Sequence, residues 1–345
     1  MTDADKQKRR IDLKRESAGS FTMGSPGETA SEIFVIDSRL ITVMTRGVYA
    51  VRTADSVDPD RTDINLPNMM TQQVLGYGSD SPFISRTLLA GRELFRRGYL
   101  GTDFDEQRAL SLAFEAAQHL AAMTDLKVAL EEDCDRAAKE LKQTPVKLGF
   151  KLPVTPNLRS RGEAFVRAAD KVNQSTKALS ELFFPRKRAN DDWSSHITQA
   201  LQSATSSNEQ TKQFLQRVIA LIDTMREFRN ASEHPDATKD VTFRDFDIQP
   251  GLKVMPPSIE IRHPKFPVAR TDFLTFMNSV IDECSRIFEG MAALLCNESI
   301  RVPPIMCCQV ALLDEAQSKA RHGISFVYHS TFKPGVIPDA PPTKG

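Results

Sequence analysis

The sequence predicts a mainly α-helical protein, a helical bundle over residues 101–300 behind a small β-containing region at 31–100. Three observations lead there. Between residues 103 and 296 apolar side chains recur at three- and four-residue steps, the period of amphipathic helices. β-Branched runs separated by turn residues gather in the stretch just after Glu32. The 345-residue chain is 40% hydrophobic and 26% charged, an ordinary globular balance with room for two domains or one elaborated one.

Taken in order, residues 1–30 are charged and then rich in Ser, Gly and Pro, and read as a flexible arm. The runs IFVID, LITVM and VYAVRT, broken at Ser38-Arg39 and Arg46-Gly47, predict an antiparallel meander. A polar stretch with Pro59 and Pro67 carries the turn Tyr77-Gly78-Ser79-Asp80, and a helix is expected from Pro82 to about Arg97. Asp103 and Glu106 have capping-box spacing ahead of Leu110, Phe114, Ala117 and Ala121 on one face. KQTPVKLGFKLPVTPN interrupts that pattern. Ser160 and Glu163 repeat the capping spacing before Phe165, Ala169, Val172, Leu179 and Leu182, and Pro185 stops the helix.

Trp193, Ile197, Ala200, Leu201 and Ala204 mark a shorter helix, and another from about Asn208 carries Leu215, Val218, Ile222 and Met225. VTFRDFDIQPGLKVMPPSIEIRHP alternates around prolines and reads as a hairpin-like excursion. Thr271 can then cap the clearest amphipathic helix, with Phe273, Met277, Val280, Cys284, Ile287, Met291 and Leu294 on its face. Residues 301–345 read as a Pro-rich tail holding a helical turn or two near Leu312 to Ala320.

Charge narrows the function. With 45 basic and 45 acidic residues the net charge is +0, which excludes a strongly cationic nucleic-acid coat while allowing a local basic site. No apolar run reaches the roughly 18 residues of a membrane span, and the charged N-terminus lacks the apolar core of a secretory signal. The five cysteines have no C-x-x-C spacing, so reduced thiols and a cytoplasmic setting are expected. His119, His196, His322 and His329 show no ligand spacing, and neither a metal nor a cofactor is expected. The clusters at 6–10 and 185–188 are short basic patches, read first as solubilising and second as phosphate contacts.

One constellation carries chemistry. The helix from Asn208 ends in MREFRNASEHPD, which holds Arg229, Asn230 and His234. Arg229 follows the apolar stripe, so a permanent charge stands where a buried face is expected and requires a partner, a phosphate or a wet cleft. Asn230 and His234 are four apart and neighbours while the helix lasts, and Pro235 puts His234 at its C-terminal end. A purely structural alternative stands beside this, in which Arg229 pairs with a bundle carboxylate and His234 only ends the helix. Glu233 is expected to pair with Arg229 on the surface, and His263, beside a proline, to be exposed.

These residues resemble the Arg-x4-6-His motif of the HEPN superfamily of helical nucleases, with Arg229 on the motif arginine, Asn230 on the polar position after it and His234 on the motif histidine. The resemblance implies a HEPN-like bundle that cuts RNA without a metal, as a homodimer bringing two motifs into one cleft. It implies that His234 moves the proton of the ribose 2′-hydroxyl while Arg229 clamps the scissile phosphate, leaving a 2′,3′-cyclic phosphate. A stress, toxin or phage-defence role with a regulatory protein partner follows by the same analogy. The rival expectation is a non-catalytic module of the same fold that dimerises or binds nucleotide, RNA or protein.

Overall fold

A computed structural model describes residues 8–17, 23–37, 39–143, 151–186, 191–251 and 253–333. The chain opens with helix α1 (Arg10–Glu16), part of the stretch expected to be a flexible arm. Four strands follow, β1 (Ala30–Ile36), β2 (Arg39–Met44), β3 (Val48–Thr53) and, after the one-turn helix α2 (Ala54–Val57), β4 (Met69–Leu75). They pair as an antiparallel sheet in the order β1-β2-β3-β4. The meander was legible, but β4 was not, because its exposed glutamines hide the alternation.

Pro82 starts a continuous helical run made of α3 (Pro82–Ile84), a π-helical stretch Ser85–Leu89 and α4 (Ala90–Leu94); the short α5 (Arg97–Leu100) follows. Gly101 ends it at φ 96°, a backbone conformation that glycine adopts freely.

The long helices are α6 (Glu106–Gln143), α7 (Leu158–Phe183) and, after α8 (Trp193–Ala200) and α9 (Gln202–Ser207), α10 (Glu209–Glu233). Their caps differ in part from the spacings expected. The Asp105 carboxylate, not Asp103, accepts from the Arg108 amide, while Asp103 pairs with Arg301. α7 begins two residues before Ser160, behind Asn157 at φ 56°. Asn208 does cap α10, accepting from the Gln210 and Thr211 amides.

Five strands separate α10 from the last long helix: β5 (Asp240–Arg244), β6 (Asp247–Gln249), β7 (Lys253–Met255), β8 (Ser258–Arg262) and β9 (Val268–Asp272). They form a three-stranded sheet β5-β8-β9 and a small hairpin β6-β7. Helix α11 (Phe273–Glu298) follows, capped by Asp272 rather than Thr271. Last come β10 (Met306–Leu312), α12 (Glu315–Ala320) and β11 (Phe326–Phe332), the two strands paired in register from Met306–Phe332 to Leu312–Phe326.

The mainly α prediction is therefore corrected. Among the described residues about 53% are helix and 20% strand, in four sheets, a mixed α/β fold rather than a HEPN-like bundle with a small β appendage. Helical periodicity is a local signal, whereas a strand is stabilised by a partner elsewhere in the chain. The excursion before α11, expected as one hairpin, holds β5 to β9, and the C-terminal tail, expected to hold only a helical turn or two, holds the β10–β11 pair.

α7 packs against α6, α10 and α11, and α6 also meets α11. Their inward faces, including Phe165, Val218, Phe228, Phe273 and Phe288, join Phe34 and Val43 of the first sheet in one continuous core. The sheet β5-β8-β9 seats β5 on α7 and α10, where the Phe243 ring lies against Gly162.

Candidate functional site

Helix α10 buries Leu215, Val218, Ile222, Met225, Phe228 and Ala231, so the stripe passes through Phe228 and leaves Arg229 on its flank, 31% exposed. The helix stops at His234, which has φ −134° and ψ 65° and donates its amide to the Asn230 carbonyl at 2.8 Å. Proline at 235 disfavours a further turn. Asp236 then builds a tight turn, its Oδ1 accepting from the Thr238 and Lys239 amides and the Thr238 hydroxyl, and these bonds hold its carboxyl below the usual range.

Each of the three motif residues has a distinct setting. Arg229 Nη1 donates to Asp170 Oδ2 at 2.8 Å and Nη2 to Asn230 Oδ1 at 3.0 Å. Its Nε lies 3.8 Å from Glu233 Oε2, and that buried nitrogen has no hydrogen-bond partner among the described residues. Asp170, on α7, is 4% exposed and also accepts from Gln174 Nε2 at 2.6 Å. Asn230 is half-buried beside the guanidinium it accepts from. His234 is exposed, and no hydrogen bond engages its imidazole among the described residues.

The structure thus brings Arg229 and Asn230 into contact and leaves His234 one turn further along, open to solvent. Glu233 bridges two guanidiniums, with Oε1 3.3 Å from Arg167 Nε and Oε2 toward Arg229. Chemically, a fixed guanidinium can hold an anion, and an exposed imidazole on the same helix end can move a proton.

Sequence reasoning missed Arg167, Asp170 and Gln174. A signal for Asp170 was present, since it stands with Val166 and Asn173 at four- and three-residue steps on a buried face of α7. A carboxylate in such a stripe requires a cation. Asn173, one turn beyond, is 1% exposed, and neither atom of its amide has a partner among the described residues.

His263 departs from expectation. It is buried, its ring stacked on Phe266, and Nδ1 accepts from the Lys265 and Phe266 amides at 3.2 Å each. The network therefore assigns its proton to Nε2, which lies 3.6 Å from Glu227 Oε2 on α10. Of the basic clusters, Lys8, Arg9 and Arg186 are paired with Glu16, Asp12 and Glu181; residues 6, 7, 187 and 188 lie outside the described ones.

No family model, curated protein or solved structure matches the chain. The site is read from its own geometry. Among the described residues no group of three or more His, Cys, Asp or Glu is placed to hold a metal ion, and no helix is long and apolar enough to cross a membrane.

Proposed function

We propose that this chain is a metal-independent endoribonuclease acting through Arg229, Asn230 and His234. The observation that carries the reading is a guanidinium fixed by a buried carboxylate on the helix that ends at an exposed imidazole, which no hydrogen bond engages among the described residues. His234 takes the proton of the ribose 2′-hydroxyl, whose oxygen attacks the adjacent phosphorus. The bond to the 5′-oxygen breaks, that oxygen leaves with a proton, and a 2′,3′-cyclic phosphate remains. Arg229 holds the phosphate through the added negative charge of the transition state, and Asn230 orients the guanidinium. The exposure of His234 leaves one side of the site to solvent, which supports a homodimer in which a second copy supplies the other wall. RNA is then the substrate and DNA, lacking the nucleophile, is inert. A cytoplasmic stress or defence role under a regulatory protein partner completes the reading.

A second reading is favoured by one observation: all three guanidinium nitrogens of Arg229 already face oxygens of this chain. In that case Arg229 is structural and the protein is a non-catalytic module that dimerises or binds nucleotide, RNA or protein. The deciding experiment incubates the full chain with mixed single-stranded and structured RNA, with and without EDTA, beside His234→Ala and an all-DNA control. EDTA-resistant cutting of RNA alone, lost in His234→Ala, supports the nuclease. Binding without cutting supports the module.

A further inference from the structure

Glu233 sits between two guanidiniums. Its Oε1 faces Arg167 Nε at 3.3 Å and its Oε2 faces Arg229 Nε at 3.8 Å, one carboxylate oxygen to each arginine. The arginines come from different helices, α7 and α10, and Arg229 is fixed in place by Asp170. Two guanidiniums converging on one anion from two helices are the arrangement that holds a phosphate oxygen pair.

We infer that Arg167 and Arg229 form a phosphodiester subsite whose resident anion in the free protein is the carboxylate of Glu233. The inference rests on the RNA reading above and adds Arg167 to the residues that touch the nucleic acid. Three features make the exchange feasible. Glu233 is the last residue of α10, and its side chain is 35% exposed, so it can swing into water without disturbing the core. Its contact with Arg229 is longer than a hydrogen bond, and the Arg229 Nε it faces is buried with no hydrogen-bond partner among the described residues. Arg167 is 55% exposed and also lies 3.7 Å from Glu163 Oε2, a second loose pairing that it can leave. Asp170, by contrast, is buried, and stays on Nη1 to keep Arg229 aimed.

The subsite predicts that removing the resident anion strengthens phosphate binding, opposite in sign to the effect of removing Arg167. The probe is a short fluorescent single strand of 2′-O-methyl RNA, which keeps the phosphodiesters and lacks the nucleophile, titrated by polarisation into the full chain. Glu233→Gln should bind about fivefold more tightly than wild type and Arg167→Gln about fivefold more weakly, each at low salt. Arg167→Gln should also reduce the slope of log affinity against log salt by about 0.7, one phosphate contact.

The inference is overturned if Glu233→Gln binds no more tightly than wild type, or if Arg167→Gln binds as well as wild type. Unmodified RNA separates this from the catalytic reading. Cutting that depends on His234, with both variants binding like wild type, leaves the nuclease standing and removes the subsite. The predicted binding ratios without any cutting leave the subsite standing and remove the nuclease. Absence of binding by both wild type and Glu233→Gln overturns the subsite.

Discussion

Asp170→Ala is the perturbation whose consequence follows most directly from the geometry. Asp170 has a side chain 6% exposed and accepts from Arg229 at 2.8 Å and from Gln174 at 2.6 Å. Removing it leaves a half-buried guanidinium without its shortest contact, and its Nε has no hydrogen-bond partner among the described residues. Breaking a buried pair from one side costs about 3–5 kcal/mol, and an exposed pair about 0–1. Because Arg229 is 31% exposed and can rotate toward water, the expected loss lies between these, about 2 kcal/mol. For a 345-residue chain unfolding as one unit that corresponds to a Tm lower by about 3 °C. Asp170→Asn keeps an acceptor for Nη1 and should lose about half as much. Thermal unfolding by circular dichroism, with the double-mutant cycle Asp170→Ala and Arg229→Ala, reads both the loss and the coupling. A melt within about 1 °C of wild type, or strictly additive single losses, would refute the claim that this pair joins α7 to α10.

Further outcomes are expected elsewhere in the molecule. Gly162→Ala drives a methyl into the Phe243 ring, so it should destabilise the seating of β5 on α7 by about 1–3 kcal/mol, and Phe243→Leu in the same chain should recover part of it in urea titrations. Glu289 is 2% exposed, and burial pushes its carboxyl up against the opposing pull of Ser325, Arg86 and Arg286. With the folded value raised, the folded state keeps its proton where the unfolded chain has lost it, so this stability contribution falls as pH rises above the usual glutamate range. Glu289→Gln, which cannot ionise, should gain Tm relative to wild type as pH rises above the usual glutamate range, and a flat difference would contradict the assignment. Alkylation mapped by mass spectrometry should modify exposed Cys307 in the native protein, whereas buried Cys284, its thiol pushed up to about 12, and Cys296, also pushed up, should react only after unfolding.

The motif helix was legible because its determinants are close in sequence. Asn208 at its start, the stripe from Leu215 to Met225 and Pro235 at its end specify α10 with little tertiary help. The same locality made Arg229, Asn230 and His234 visible as a group. It placed Arg229 on the apolar stripe, however, where packing runs the stripe through Phe228. It also put His263 in solvent, where the Lys265 and Phe266 amides and the Phe266 ring bury it. Asp170 was legible as a carboxylate on a buried face, but its pairing with Arg229 was not, since the two lie 59 residues apart and pairing at that separation leaves no periodic trace.

By itself, then, the sequence determined the long helices, the N-terminal meander and the grouping of Arg229, Asn230 and His234 at the end of one helix, because helix period, turn residues and hairpin spacing are encoded over a few residues. Tertiary structure decided the rest. It paired β5 with β8 and β8 with β9, β10 with β11, and added β4 to the first sheet, turning a predicted mainly α chain into a mixed α/β one. It brought Arg167 and Asp170 of α7 to Arg229 and Glu233 of α10. Strand pairing and ion pairing are both energies of two partners, and a pattern along one segment describes only one of them.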